Sequence, residues 1–152
     1  MSSTLQSLQA LKAIAAWDMG EAAVSLSKAL GVQTQVQARA KTIGEQTQAI
    51  GKAYGRATQP GQRLQLAAVN LLYRQAHASQ GVQAHVGDEL RQATEVVDGE
   101  RETLAKHRAR DDALHKLIKH ERHLIEAERA KAEYAVLDDL YLARRWVMEA
   151  LV

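Results

Sequence analysis

Apolar residues recur at alternating steps of four and three along the first third of the chain. The spacing begins at Leu5 and Leu8, passes Lys12 as a polar exception, and continues from Ala15 to Tyr54. Such a repeat places one side of a helix against a partner helix. The pattern therefore predicts a first arm over about 4–55. Its predicted contact positions from Ala15 onward are Ala15, Met19, Ala22, Leu26, Ala29, Gln33, Val36, Ala40, Ile43, Thr47, Ile50 and Tyr54.

The same stepping describes a second arm, predicted over about 86–150. Its register is weaker where polar residues fall on contact positions, and after Ala132 the apolar positions shift by one residue to Val136, Leu140, Ala143 and Val147, as in a local stutter. The contact positions before that shift are Leu90, Ala93, Val97, Glu100, Leu104, His107, Asp111, Leu114, Ile118, Glu121, Ile125, Glu128, Ala132 and Ala135.

A single break separates the arms. Pro60, the only proline, is followed at once by Gly61, and these two residue types interrupt helices most effectively. The break predicts a reversal near 55–64. The following stretch to Gln80 is apolar over more than half of a helical circumference, which indicates either a three-helix head or an exposed partner surface. Gly81 and Gly87 offer hinges before the second arm.

These patterns together predict an all-α fold. We expect one unit over 1–152, a long antiparallel two-helix coiled-coil hairpin with a short helical segment near the turn, the turn and that segment occupying about 56–85. Aromatic residues make up only 4% of the chain, which is a poor supply for a globular core but sufficient for helices that meet along a narrow line of contact.

Charge and cysteine content narrow the function classes. The formal net charge is +2, but residues 1–85 carry eight basic and three acidic side chains, whereas residues 86–152 carry twelve and fifteen. Opposite signs suit two arms that lie side by side, and they argue against a nucleic-acid binder, which would present one strongly basic face. The absence of cysteine, of a secretory signal and of a long apolar run leads us to expect a cytoplasmic protein without a transmembrane segment.

Candidate catalytic and metal-binding residues are few. His120 and His123 lie three residues apart, as a helical metal pair would, but the first arm supplies no histidine to complete a site. Asp111 and Asp112 are neighbours, which diverge on a helix and cannot share a substrate. No phosphate-binding loop or nucleophile motif is present. We therefore expect no enzymatic activity, no metal and no cofactor.

The C-terminal residues carry more apolar surface than one partner helix can bury. Leu137, Leu140, Tyr141, Val147, Met148 and Leu151 form one broad face, and Leu142 and Trp146 form a second. Two interpretations stay open. In the first, the start of the first arm covers them; in the second, this end inserts into another protein. A membrane-surface helix is disfavoured because only Arg144 and Arg145 supply positive charge here. The covering residues of the first interpretation would be Leu5, Leu8, Leu11, Ile14 and Trp17.

The order of these features resembles a known family. A start with Leu5, Leu8 and Leu11, a first helix with a heptad contact line, a short apolar central segment, and a charged last helix containing Glu-Arg-Ala-Lys-Ala-Glu-Tyr and Leu-Asp-Asp-Leu-Tyr-Leu-Ala-Arg-Arg are similar to the FliJ/YscO (SctO) family. These are coiled-coil stalk proteins of flagellar and type III secretion export ATPases. The resemblance covers nearly the whole chain through length, helix order and heptad phase.

The resemblance implies partners and contact residues. The chain would be a non-enzymatic stalk whose paired termini enter the hexameric export ATPase, and it would also contact the cytoplasmic domain of the export gate and engage export chaperones. The gate contact would fall on Val69, Tyr73 and Ala76. The docking end for the ATPase would comprise Leu5, Leu8, Leu11, Trp17, Leu140, Tyr141, Trp146, Val147 and Leu151. The chain departs from the family in its charge-poor first arm and its apolar C-terminus.

Two other functions compete with the stalk. The apolar central segment and the Gln-rich first arm would also suit a cytosolic helical chaperone or adaptor for a secretion substrate. A generic coiled-coil scaffold remains a third possibility because no local motif discriminates against it.

Overall fold

Two long helices form the fold. A computed structural model describes residues 3–61 and 63–150, with side chains described through residue 147. Helix α1 spans Ser3–Ala57 and helix α2 spans Leu66–Ala150. No strand occurs among these residues. The predicted all-α two-helix hairpin is confirmed.

The reversal lies where the proline and glycine predict it. The turn follows Ala57, and Thr58 closes α1 by donating its backbone N–H and its hydroxyl to the Tyr54 carbonyl. Gly61 has a φ of 90°, a left-handed conformation that glycine adopts without the steric cost of a Cβ atom. Pro60 and Gly61 together therefore stop α1 and reverse the chain.

The line of contact between the helices, which we call the seam, follows the heptad spacing in both. In α1 it consists of the predicted positions from Leu5 to Tyr54 and ends at Ala57; all of these are buried or partly buried, including the exception Lys12. In α2 the predicted positions from Leu90 to Ile125 are likewise buried or partly buried. The eight most buried apolar residues all lie on it: Leu5, Ala15, Ala22, Val86, Val97, Leu104, Leu114 and Ile118.

The helices divide into two compact units. One unit joins the part of α1 up to Gly20 with α2 from Lys106 onward, and the other comprises Glu21–Ala105. In the Glu21–Ala105 unit, Gln33 Nε2 donates to Thr94 Oγ1 at 3.1 Å, the Arg39 guanidinium lies 2.7 Å from the Glu89 carboxylate, and the hydroxyl of Thr47 bonds to that of Ser79. Partners on α2 descend as those on α1 ascend, which shows that the helices are antiparallel.

The predicted separate helix near the turn is the first part of α2. No break occurs at Gly81 or Gly87, so the predicted hinges are wrong, and of the two interpretations of this stretch the three-helix head is wrong. The reason lies in the seam: Val69, Leu72, Ala76, Ser79 and Val86 continue the heptad spacing of the second arm toward the turn, and only Gln83 on that spacing is exposed. Packing of these residues against α1 outweighs the roughly 1 kcal/mol that each helical glycine costs.

Candidate docking surfaces

The first turns of α1 fix how far the hairpin extends along α2. Leu5 is buried and forms a shallow depression with Arg122, Ile125, Glu126 and Arg129. Further along the same unit, Lys12 Nζ lies 3.1 Å from His115 Nδ1, and Arg110 Nη1 lies 3.6 Å from Asp18 Oδ2. The start of α1 is therefore level with Ile125 of α2.

Beyond Ile125, α2 has no partner helix among the residues that the structure describes. It continues for about 25 residues, or about 37 Å at the rise of an α-helix; we call residues 126–150 the tail. Every described side chain from 131 to 147 is exposed. The large apolar side chains among them expose between 53% and 76% of their area: Tyr134, Val136, Leu137, Leu140, Tyr141, Leu142, Trp146 and Val147.

Of the two interpretations of the tail, the one in which the start of α1 covers it is therefore wrong. Leu5 ends the seam beside Ile125, and Leu140 lies about 22 Å further along α2. Of the predicted ATPase-docking residues, Leu5 is buried, Leu8 is partly buried, and Trp17 points away from α2 with 69% of its area exposed. The structure does not bring these residues together with Leu140, Tyr141, Trp146 and Val147. Leu151 lies outside the described residues.

The tail carries two apolar stripes on different sides. The first consists of Val136, Leu140, Ala143 and Val147, the positions to which the apolar pattern was predicted to shift. The second includes Tyr134 and Tyr141, each of which lies one residue before a position that continues the seam spacing. Sequence analysis missed this division because it assigned Leu140 and Tyr141 to one broad face.

The second stripe has a counterpart on the hairpin itself. Leu117 and Leu124 also lie one residue before seam positions, and they expose 52% and 47% of their area. Leu11 and Ile14 occupy the equivalent positions on α1 and expose 42% and 53%. Because the ion pair between Asp18 and Arg110 joins two such positions, these residues of both helices lie on the same side of the hairpin. We call the α2 residues Leu117, His120, Leu124, Tyr134, Asp138 and Tyr141 the flank stripe.

The predicted gate-contact residues divide between the seam and the surface. Val69 and Ala76 are partly buried against α1. Tyr73 exposes 58% of its area and its ring lies 6.5 Å from that of Tyr54, tilted by 49°. Three further exposed apolar side chains near the turn were not among the predicted contacts: Leu64, Leu66 and Leu71.

The described residues bring no catalytic or metal-binding constellation together. No three side chains of His, Cys, Asp or Glu among them are placed to hold a metal ion. His120 is exposed, and His123 Nδ1 lies 3.6 Å from the Glu126 carboxylate one turn away. Asp111 faces the seam whereas Asp112 is exposed, as expected for adjacent residues of a helix.

The fold and its surfaces define a class: a two-helix coiled-coil hairpin in which one helix extends past its partner and exposes apolar stripes. Over the residues that the structure describes, neither helix is long and apolar enough to cross a membrane. No family model, curated protein or solved structure matches the chain.

Proposed function

We propose that the chain is a non-enzymatic stalk that couples a hexameric export ATPase of a type III secretion or flagellar apparatus to the cytoplasmic domain of its export gate. The observation that supports this proposal is the tail: a helix that leaves a stable hairpin and exposes eight large apolar side chains. Monomeric proteins rarely leave so much contiguous apolar surface uncovered, so the tail is suited to bind another protein. The resemblance of the sequence to the FliJ/YscO family supplies the kind of partner.

The proposed docking residues are those of the tail. Leu140, Tyr141, Trp146 and Val147 expose between 59% and 76% of their area, and Arg144, Arg145 and Asp138 lie among them to orient the contact. A helical extension of this kind enters a ring without unfolding, because the seam that holds the hairpin ends before the tail begins. Leu5 and Leu8 stabilise the base of the tail by packing in the seam, and they do not contact the ATPase.

The proposed gate contact lies at the opposite end of α2. Tyr73 would contact the gate directly, with Val69 and Ala76 fixing its backbone from the seam. Its contact with Tyr54 restricts the ring, which reduces the entropy lost when a partner binds.

Adding the purified protein to its cognate ATPase tests the tail. We expect the wild-type chain to raise the hydrolysis rate or to promote ring assembly, and Leu140→Glu with Val147→Glu to abolish that effect, because two carboxylates in the apolar stripe oppose burial. The matched control is Val24→Glu with Val32→Glu, which changes two equally exposed valines of α1. A response of the tail variant equal to that of the wild type would refute the docking assignment.

Binding to the isolated gate domain tests the other end. Tyr73→Glu should weaken this binding while the ATPase response stays unchanged. A stable complex with a secretion substrate, combined with no effect on any ATPase, would instead favour the chaperone or adaptor.

A further inference from the structure

We infer that the flank stripe is an interface between two copies of this chain, which pair antiparallel through α2 about a two-fold axis beside residue 129. This inference goes beyond the proposed function and does not rest on it: of the docking residues proposed for the ATPase only Tyr141 belongs to the flank stripe, and Leu140 and Val147 lie on a different side of the tail. The argument starts from two apolar surfaces of one helix. Leu117 and Leu124 lie on the hairpin, and Tyr134 and Tyr141 lie on the tail.

The two surfaces cannot contact each other within one chain. Both belong to α2, which is uninterrupted from Leu66 to Ala150, so the tail cannot fold back on the hairpin. When a second copy runs antiparallel to the first, each apolar residue on the hairpin surface of one copy contacts an apolar residue on the tail surface of the other copy. Leu117 lies level with Tyr141 of the second copy, and Leu124 lies level with its Tyr134. A two-fold axis makes the same contacts twice and closes the assembly.

The charges between these apolar layers are complementary in the same register. His120 lies level with Asp138 of the second copy, and Glu128 lies beside its Lys131. Lengthening the overlap by one heptad would place His120 against Lys131, and shortening it by one heptad would place His120 against Arg145, so the charges favour the proposed register. Lys116 and Arg144 approach each other in the proposed register, but at the rim, where solvent and salt screen their repulsion.

The hairpins do not obstruct this pairing. In each copy the N-terminal end of α1 lies level with Ile125 of its own α2. The α1 helix of the second copy therefore lies on the other side of the two-fold axis. Leu11 and Ile14 lie beside Leu117 on the same side of the hairpin, so they extend the surface on which the second copy's tail lies. The overlap from residue 110 to 148 is about 57 Å long and about 10 Å wide. It would bury roughly 1,100 Å² in total, which exceeds the minimum of about 1,000 Å² for a specific interface and suits a reversible dimer.

Sedimentation equilibrium of the full chain tests the pairing. We expect a reversible dimer. Leu117→Glu with Tyr141→Glu should raise its dissociation constant by about tenfold or more. Val136→Glu, on the opposite side of the tail, is the matched control and should leave the constant unchanged. A strictly monomeric wild-type chain, or equal effects of the two variants, would overturn the inference.

A charge exchange tests the register and separates lost contacts from lost folding. Lys131→Glu should weaken the dimer because it places two pairs of carboxylates together near the axis. Adding Glu128→Lys should restore it. Failure of the second substitution to restore the dimer would contradict the proposed register.

Spin labels test the direction. The chain contains no cysteine, so Ala130→Cys and Ala109→Cys each provide a unique attachment site. Antiparallel pairing predicts a short distance between the two labels at 130 and a distance of about 60 Å between those at 109. Short distances at both positions would show a parallel dimer and overturn the inference.

Discussion

Asp111 and Asp112 are adjacent on α2 but face different surroundings, so their carboxylates contribute differently to the stability of the fold. Asp111 occupies a seam position, and its Oδ1 is buried with no hydrogen-bond partner. Asp112 is exposed. A buried polar atom without a partner costs about 1–3 kcal/mol, whereas a solvated carboxylate costs almost nothing.

We therefore predict that Asp111→Leu raises the free energy of unfolding by about 1–2 kcal/mol, since it removes the unpaired oxygen and adds apolar volume to the seam. Asp112→Leu is the control and should change it by less than about 0.5 kcal/mol. Urea denaturation at neutral pH measures both. Equal effects at the two positions would show that Asp111 is solvated.

At the scale of the element, the glycines inside α2 and the glycine of the turn have different roles. A Cβ atom added at Gly81 or Gly87 would meet nothing within 4 Å, so these glycines serve no packing role and only raise the entropy of the unfolded chain. Gly61 also has open space around it, but its φ of 90° is one that other residues adopt only with strain.

The prediction contrasts these two environments. Gly81→Ala and Gly87→Ala should each raise the free energy of unfolding by about 0.5–1 kcal/mol, and Gly61→Ala should lower it by about 1 kcal/mol or more. Thermal or urea unfolding shows whether each substitution raises or lowers the free energy of unfolding. A loss of stability at Gly81 or Gly87 would show that the helix does not accommodate a Cβ atom there.

At the scale of the whole molecule, stability is uneven along α2. Residues 86–118 include the most buried side chains, among them Val86 and Val97 with no exposed area. Within the described part of a single chain the tail has no partner helix, and an isolated helix of its length is only marginally stable in water. The same helix therefore contains both the most and the least protected backbone.

Amide hydrogen exchange at low protein concentration should reveal this difference. We predict slow exchange over residues 86–118 and fast exchange over 131–147, because local opening of the tail breaks no seam contacts. Raising the concentration should slow exchange in the tail if a second copy covers it. Removing residues 131–152 should leave the slow region unchanged. A slowly exchanging tail at every concentration would show that it is stabilised within the single chain.

The sequence by itself determined the seam and the turn, because both depend on local chemistry. Alternating steps of three and four select one side of a helix whatever its partner is, and Pro60 with Gly61 stops a helix in any surroundings. Only the tertiary structure decided that α2 runs unbroken through Gly81 and Gly87, since packing of Val86 and its neighbours had to be weighed against glycine. The tertiary structure also decided that the seam ends where Leu5 lies beside Ile125. That pairing depends on the register between the two arms, which a repeating heptad leaves ambiguous by whole repeats, and it is what leaves the tail uncovered.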